Sequence, residues 1–437
     1  MRAATPKTLL SQLSENVSAG PHHRSLRDAG IEGESAAVVR AIAFYLPQFH
    51  AVAENDEWWG KGFTEWTNVT KALPRYVGHY QPRLPADLGF YDLRSPEVLR
   101  QQASIARAAG IEGFCFHYYW FSGRKILETP IEILANDRDI NIGFCINWAN
   151  ESWTRTWDGA EKQVLLQQNH SPEDDVKFAA AIAPLMSDSR YIRIAGRPLL
   201  MLYRPSLLPD PKATARRWRE YFTDCGVGNP FLVMPQAFGN DDPREFGFDA
   251  AVGFPPHRFG WELPSLTGGV DLLDPGFRGR VCSYEEMVRQ AEDFDPQEYT
   301  LFPGVCPNWD NEARRPGRGV GFVGSSPELY GRWLANACIK VNKYSDEQRR
   351  IVFINAWNEW AEGAYLEPDR HYGFAYISET ARVLRGGAHI SEPVPSSGER
   401  NPFPSSPSRQ SRWLRRWRFG LSDTLRRVAS VIRPSQM

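Results

Sequence analysis

The chain has 437 residues, a net charge of −1 at pH 7 and 42% hydrophobic residues. The near-neutral charge argues against nucleic acid as the main partner, and the length suits one large domain or roughly two to three ordinary ones. Aromatic residues are unusually frequent, with 15 Trp, 16 Tyr and 24 Phe, many of them in polar surroundings.

Cysteine and histidine patterns give no sign of a metal site. The six cysteines form no CxxC pair and the nine histidines show no paired-ligand spacing. The N-terminus lacks an apolar stretch of signal-peptide length, and no run reaches the roughly 18 apolar residues of a membrane span. We therefore expect a cytoplasmic protein that uses no cofactor.

Residues 1–38 are polar and without period, which predicts a poorly ordered N-terminal segment. From residue 39 to 385 the chain repeats a short apolar run, a loop rich in Trp, Tyr, Asn or Pro, and an amphipathic stretch. The apolar runs that we predict to be strands are 40–46, 111–117, 141–147, 198–203, 230–235, 248–254, 299–305 and 350–356.

Helix signals lie between these runs. Ser-Pro-Glu occurs at Ser95, Ser171 and Ser326, which predicts an N-cap followed by proline in the first helical turn. The segments 211–224 and 284–292 also have a helical pattern. Eight strands that alternate with helices predict an α/β fold of the (β/α)8, or TIM barrel, type over 39–385. A doubly wound sheet is second, because no phosphate-binding loop follows the first strand.

A barrel of this type places its functional side chains after the carboxyl ends of its strands. Two carboxylates, Glu359 and Glu362, follow the last apolar run and stand among tryptophans. Carboxylate pairs beside aromatic rings suit glycoside chemistry, with one acid, one base and flat apolar surfaces for the sugar. The alternative is a strand end followed by a solvated turn.

Other strand ends supply candidate substrate contacts. Glu151 could orient a substrate hydroxyl or instead bind loop backbone, and the aromatic candidates could stack on sugar or merely cover the end of the barrel. The long insertion after strand 1 is predicted to act as a lid, and its Glu65 is a further candidate. The candidate contacts are Tyr45, Glu65, His117, Trp148, Asn150, Glu151, Trp153, Tyr203, Trp309 and Trp360.

The sequence Asn-Glu-Trp-Ala-Glu-Gly at 358–363, with Glu367-Pro368 after it, resembles the signature of family 99 glycoside hydrolases. Those are retaining endo-α-mannosidases built on a (β/α)8 barrel. The stretch from about 40 to 380 is still more similar to WbsX-type proteins, which are found in gene clusters for bacterial surface polysaccharides. The blocks that carry this similarity are 43–50, 59–66, 147–153 and 303–310.

The resemblance implies a retaining glycosidase acting on an O-antigen, a capsule or a precursor. Glu359 would remove the proton from the 2-hydroxyl of the sugar, which attacks the anomeric carbon, and Glu362 would be the general acid/base. The histidine of the signature is Ala361 here. One alternative is a glycosyltransferase or transglycosylase in lipopolysaccharide or capsule biosynthesis. The other is a non-catalytic glycan-binding assembly factor.

Several motifs are set aside. The G-x-G-x-x-G match at 319–324 is interpreted as a loop, and the DxD patterns at 137–139 and 293–295 precede strands, at the wrong end of a barrel. Arg314, together with Arg315 and Arg318, could meet an anionic sugar or a phosphate, but a solvated basic loop is favoured.

The C-terminal region has a different composition. Residues 386–411 are rich in Ser and Pro and predict a linker. Residues 412–433 have the pattern of a basic amphipathic helix, which predicts contact with the anionic surface of the inner membrane. The alternatives are a partner-binding helix or a helix that folds back onto the barrel.

Overall fold

The computed structural model describes residues 8–31, 37, 39–155, 160–294 and 298–386. Their core is a parallel barrel, and all eight predicted strands are present. The strands are β1 (Arg40–Tyr45), β2 (Ile111–Phe121), β3 (Gly143–Trp148), β4 (Arg197–Leu202), β5 (Phe231–Gln236), β6 (Ala250–Gly253), β7 (Thr300–Phe302 and Gly304–Val305) and β8 (Ile351–Ile354). The (β/α)8 prediction is confirmed.

Neighbouring strands follow in chain order around the barrel, which closes through β7. Pro303 divides β7 because proline has no N–H to donate to a ladder. The first half pairs with β6 and the second half with β8, so that Gly304 lies opposite Phe353. A Cβ atom on Gly304 would stand 1.7 Å from the carbonyl oxygen of Gly253, and only glycine fits this close approach.

The helices that follow the barrel strands form the outer layer, and several helices begin as predicted. Ser171 and Ser326 accept hydrogen bonds from the backbone N–H groups of Asp174 and Leu329. Between β5 and β6, a short 3₁₀ turn, Pro243–Phe246, takes the place of an α-helix. The helices are α1 (Leu9–Asn16), α2 (Ala53–Trp59), α3 (Glu65–Lys71), α4 (Pro96–Ala108), α5 (Thr129–Asn136), α6 (Pro172–Met186), α7 (Pro211–Asp224), α8 (Tyr284–Asp293), α9 (Pro327–Val341) and α10 (Ala375–Leu384).

The N-terminal segment differs from the prediction, since residues 8–31 are ordered against the barrel domain. Helix α1 begins with a capping box at Thr8, and the side-chain amide of Asn16 donates to the carbonyl oxygens of His79 and Gln81 at 2.8 Å each. Composition alone missed this because a few buried amide contacts hold the segment without a large apolar face.

The insertion between β1 and α4 contains α2 and α3 and crosses the carboxyl end of the barrel. It is tied to the segment after β7, where Arg75 binds Glu312 at 2.5 Å and His79 binds Asp310 at 2.7 Å. Its residues Gln48, Asn55 and Trp59 face the central cavity. The insertion is therefore held firmly on one side of the mouth of the barrel.

The motifs set aside have structural roles. The 319–324 segment contains a strand, Val320–Val323, which pairs in parallel with Arg280–Ser283, so the interpretation as a loop was wrong. Asp137 ends α5 and binds Arg100 at 2.5 Å. The linker (386–411, apart from its first residue) and the basic amphipathic helix (412–433) lie outside the described residues. Within the described ranges, no helix combines the length and apolarity needed to cross a bilayer.

Candidate active site

A cavity of about 280 Å³ opens at the carboxyl end of the barrel strands. Its walls come from the ends of β1 to β4, β6 and β8, from the insertion and from the segment after β7. The residues that line it include Gln48, Asn55, Trp59, His117, Tyr119, Glu151, Trp153, Tyr203, Phe254, His257, Trp309, Arg314, Asn355, Glu359 and Glu362.

The two signature carboxylates both line this cavity. After β8, Asn358 and Glu359 pair with Ala364 and Tyr365 in a small antiparallel hairpin, and a 3₁₀ turn carries Glu362. The Asn358 amide fastens the hairpin to the end of β1, because it accepts from the N–H of Leu46 at 2.7 Å and donates to its carbonyl at 3.0 Å. The turn thus presents both acids to the same space.

Arg314 links the acids. Its Nη1 lies 2.5 Å from Glu362 Oε1, and its Nη2 lies 3.0 Å from Glu359 Oε2 and 3.3 Å from Glu65 Oε1. The Arg314 side chain is only 15% exposed. The interpretation of this arginine as part of a solvated basic loop was therefore wrong, because three carboxylates hold it inside the site.

This cluster has fewer cations than carboxylates. Burial raises the pKa of Glu359 to about 8, with further increases from Glu362 and Glu65, although Arg314 opposes the shift. Burial also raises the pKa of Glu362, again against the effect of Arg314. Arg314 lowers both pKa values, and Arg315 lowers that of Glu362 to a smaller extent, without overcoming the effect of burial, so the Glu359/Glu362 pair retains a proton near neutral pH.

His117 stands beside the pair in its neutral form. Its Nε2 lies 3.8 Å from Glu359 Oε1, and burial together with the charge of Arg314 lowers its pKa to about 4. His257 on the opposite wall has a pKa lowered to about 4 by burial and by Arg204. Both imidazoles are therefore neutral hydrogen-bonding groups at physiological pH.

The predicted contacts His117, Glu151, Trp153, Tyr203 and Trp309 do line the cavity. Glu151 is held at 2.5 Å by Arg204, and the ring of Trp153 packs edge-on against those of Trp58 and Tyr119. These residues offer carboxylate, imidazole, hydroxyl and ring surfaces around the two acids, which is the mixture that a sugar requires.

Two aromatic candidates do not line the cavity because their side chains point outward from the barrel. Tyr45 donates to Gln102 of α4 at 2.7 Å, and Trp148 stacks on Phe178 of α6 with ring centroids 4.2 Å apart. Successive residues of a strand face opposite sides. Phe44, one residue before Tyr45, is the one whose ring lies near His117.

Three further candidates lie outside the lining of the cavity and contact residues around it. Asn150 binds the backbone of Arg204 through both amide atoms, and Glu65 is fully buried against Arg314. Trp360 stacks on Tyr365 and donates to Glu367 at 2.6 Å. Their predicted contact with substrate is not supported by the geometry, since none of the three lines the cavity.

The sequence-based prediction missed Asn55, Tyr119, Asn355, Phe254 and His257 as lining residues, and it missed the ion pairs of Arg314. Tyr119 and His257 stand at strand ends, so the rule that found the other candidates could have found them. No sequence pattern identified Asn55 as a lining residue, because its position in the structure depends on how the insertion folds. In the ranges that the structure describes, no group of three or more His, Cys, Asp or Glu is arranged to hold a metal ion.

Two solved structures illustrate what this chain is similar to. A structure described as a glycoside hydrolase-like protein superimposes with a TM-score of 0.52 at 15% identity, covering 80% of this chain and 95% of the other, which shows the fold alone. The GH99 endo-alpha-mannosidase from Bacteroides thetaiotaomicron matches with a TM-score of 0.47 at 15% identity over 80% of this chain and 98% of that one.

The fold is a (β/α)8 barrel with a cavity that contains two acids at the carboxyl end of its strands. Residues 41–380 match the model of a family described as glycosyltransferase WbsX, and the chain therefore belongs to that family. The proteins named "Uncharacterized protein WxcX" from two strains of Xanthomonas campestris pv. campestris are 50% identical over 343 residues. That alignment covers 78% of this chain and 49% of each relative, so the chain spans about half the length of the curated relatives it matches.

Proposed function

We propose that the protein cleaves a glycosidic bond with retention of configuration, using Glu359 and Glu362 as an acid/base pair. The observation that carries the proposal is the buried carboxylate pair at the cavity, which shares Arg314 and holds a proton at neutral pH. Such a pair can protonate a leaving oxygen while it accepts a proton from an attacking hydroxyl.

The proposed roles are Glu359 as the base toward the 2-hydroxyl of the sugar and Glu362 as the acid toward the leaving group. The division of roles follows the positions of the two acids in the family 99 signature, and the raised pKa values of both support an acid/base pair. A carboxylate with a pKa near 8 is a stronger base than an ordinary one, and a carboxyl with a raised pKa keeps its proton for donation.

The reaction then proceeds in two steps. The 2-hydroxyl loses its proton to Glu359, its oxygen forms a bond to the anomeric carbon, and the glycosidic oxygen leaves with the proton of Glu362. In the second step Glu362 takes a proton from water and the water oxygen bonds to the anomeric carbon. The bond between the anomeric carbon and the 2-oxygen breaks, and Glu359 returns its proton to that oxygen. Each step inverts the configuration at the anomeric carbon, so the product has the configuration of the substrate.

The substrate that we propose is a bacterial surface polysaccharide, such as an O-antigen or a capsule, or its precursor. The similarity to WbsX-type proteins supports this class. The test is to incubate the purified protein with fragments of such polysaccharides and follow product size and anomeric configuration by NMR. Retained configuration supports the proposal, whereas an inverted first product contradicts it.

A transfer reaction in polysaccharide biosynthesis is the second candidate, and the description of the matched family favours it. Calorimetric titration with nucleotide sugars separates the two. Saturable binding that requires an intact Arg314 favours transfer from a nucleotide sugar, whereas conversion of fragments without any nucleotide sugar favours hydrolysis. A non-catalytic assembly factor would still restore surface polysaccharide in cells that carry Glu359→Gln and Glu362→Gln.

A further inference from the structure

Two exposed aromatic rings stand just outside the cavity. Phe238 follows β5 and is 47% exposed, and Trp261 follows β6 and is 36% exposed. Each contacts rings that line the cavity: Phe238 lies 4.8 Å from His257, and Trp261 lies 5.3 Å from His257 and 6.3 Å from Trp309. The aromatic surface of the site therefore continues beyond the cavity on the side of β5 and β6.

An arginine lies against each ring. The guanidinium of Arg204 stands 4.2 Å from the centre of the Phe238 ring, and that of Arg280 stands 5.7 Å from the Trp261 ring. Arg204 is itself fixed by Glu151, and Arg280 donates to the carbonyl of Trp261 at 2.8 Å. Cation–π contact holds each ring in place, and each ring keeps an exposed surface.

The backbone of Phe238 supplies an independent observation. Its φ angle is +55°, in the left-handed region that bulky side chains rarely adopt. A phenylalanine in this conformation has a strained backbone. Because its ring is nearly half exposed, burial of the ring offsets little of the free-energy cost of that strain. Backbone strain of this kind clusters at active sites and ligand-binding segments.

We propose that Phe238 and Trp261 form a second sugar-stacking subsite, which binds residues of the same glycan chain beyond the sugars held in the cavity. At about 280 Å³ the cavity lies at the small end of ligand pockets, so a longer saccharide must extend over the rim. The flat apolar faces of pyranose rings match the exposed aromatic surfaces. The substrate class is thus an oligosaccharide longer than the cavity holds, and this inference rests on the proposed function.

The test compares binding of a short and a long oligosaccharide prepared from one surface polysaccharide, measured by calorimetry with the full chain. The parent protein should bind the long form more tightly. Trp261→Ala and Phe238→Asn should each raise the Kd for the long form about tenfold and change the Kd for the short form less than twofold. Phe90→Ala is the matched control, because Phe90 is 49% exposed and does not line the cavity.

Denaturant unfolding of Phe238→Asn separates a binding role from a structural one. Asparagine tolerates the left-handed region, so the variant should unfold at the same or a higher denaturant concentration than the parent while losing affinity for the long form. The inference is overturned if Phe238→Asn unfolds at a lower denaturant concentration than the parent and its Kd rises by the same factor for the long and the short form.

Other outcomes are equally decisive. A parent protein that binds both lengths with equal affinity overturns this inference and leaves the proposed function standing if either saccharide is converted. Preference for the long form without conversion of either overturns the proposed function alone. Failure to bind either length overturns both.

Discussion

Two buried acid clusters lie on either side of the segment after β7, and their carboxylates behave in opposite ways. Asp310 accepts from His79 at 2.7 Å and from Gln81 at 3.0 Å, with Arg83 at 3.8 Å. Although burial opposes it, the charge and hydrogen bond of His79, with Arg83 and Gln81, lower the pKa of Asp310 to about 2. Glu359 is similarly buried, and its pKa is about 8.

The clusters are adjacent, since the backbone N–H of Asp310 donates to the carbonyl of Glu362 at 2.6 Å. Burial is common to both, so burial alone does not explain the difference. The difference comes from the number of hydrogen-bond donors and cations that each carboxylate has. Asp310 has several donors for one carboxylate, whereas Glu359 shares a single guanidinium with two other acids. We infer that the first cluster holds the insertion in place and that the second performs chemistry.

The largest expected effect is on turnover. Glu359→Gln and Glu362→Gln should each lower the rate of conversion of surface-polysaccharide fragments by about 10²–10⁴-fold, because each removes a proton-transfer group. The measurement is product formation by NMR. Glu112→Gln is the control, since Glu112 pairs with Arg40 at the opposite end of the barrel. Equal loss in the control would assign the effect to folding.

Asp310→Asn should lower the free energy of unfolding by about 3–5 kcal/mol, because it leaves the buried Arg83 without its counter-charge and weakens the hydrogen bond to His79. The stabilisation by Asp310 is present above pH 3.8 and is lost as the pH falls through about 2, since its pKa is depressed in the folded state. Urea unfolding at pH 7 and at pH 3 measures both effects. A variant as stable as the parent at pH 7 would contradict the structural role.

Glu359→Gln should act in the opposite direction and stabilise the protein by about 1–3 kcal/mol at pH 8. Below pH 4.5 this carboxyl is protonated in both states. Between pH 4.5 and about 8 the unfolded chain loses the proton while the folded chain keeps it, so stability falls as the pH rises. Urea unfolding at pH 4.5 and 8 should show the gain at pH 8 only. A loss of stability at pH 8 would contradict the imbalance of charge in this cluster.

A smaller effect is expected from Asn55→Leu. The amide of Asn55 is buried without a hydrogen-bond partner and lines the cavity, so it is placed to bind a substrate hydroxyl. The variant should raise KM up to about tenfold and leave stability unchanged or about 1 kcal/mol higher. Asn68→Leu is the matched control, because Asn68 is equally buried and unpartnered but does not line the cavity. A KM change of the same size in both variants would contradict the assignment.

Local signals in the sequence were enough to predict the barrel. Apolar runs and Ser-Pro-Glu caps act within a few residues, and all eight strands and the helices that begin after Ser95, Ser171 and Ser326 lie where these signals place them. The carboxylate pair was predicted for a similar reason, since strand ends gather at one edge of a parallel barrel.

Side-chain direction and long-range pairing could not be predicted. A single residue of register decides whether a strand residue faces the barrel interior or the helices, which is why Tyr45 and Trp148 were misplaced. The charge balance at the site depends on Arg314 meeting Glu65, which is 249 residues away in the chain. No local pattern specifies such a contact.

Titration of the Glu359 and Glu362 carboxyls by ¹³C NMR of glutamate-labelled protein is the most direct test of the proton that we propose they share. Signals that disappear in Glu359→Gln and in Glu362→Gln identify the pair. The pair should keep a proton at pH 7 and release it with an apparent pKa near 8. If both carboxyls are fully ionised by pH 6, the pair cannot supply the proton for the leaving group, and the proposed acid/base mechanism is contradicted.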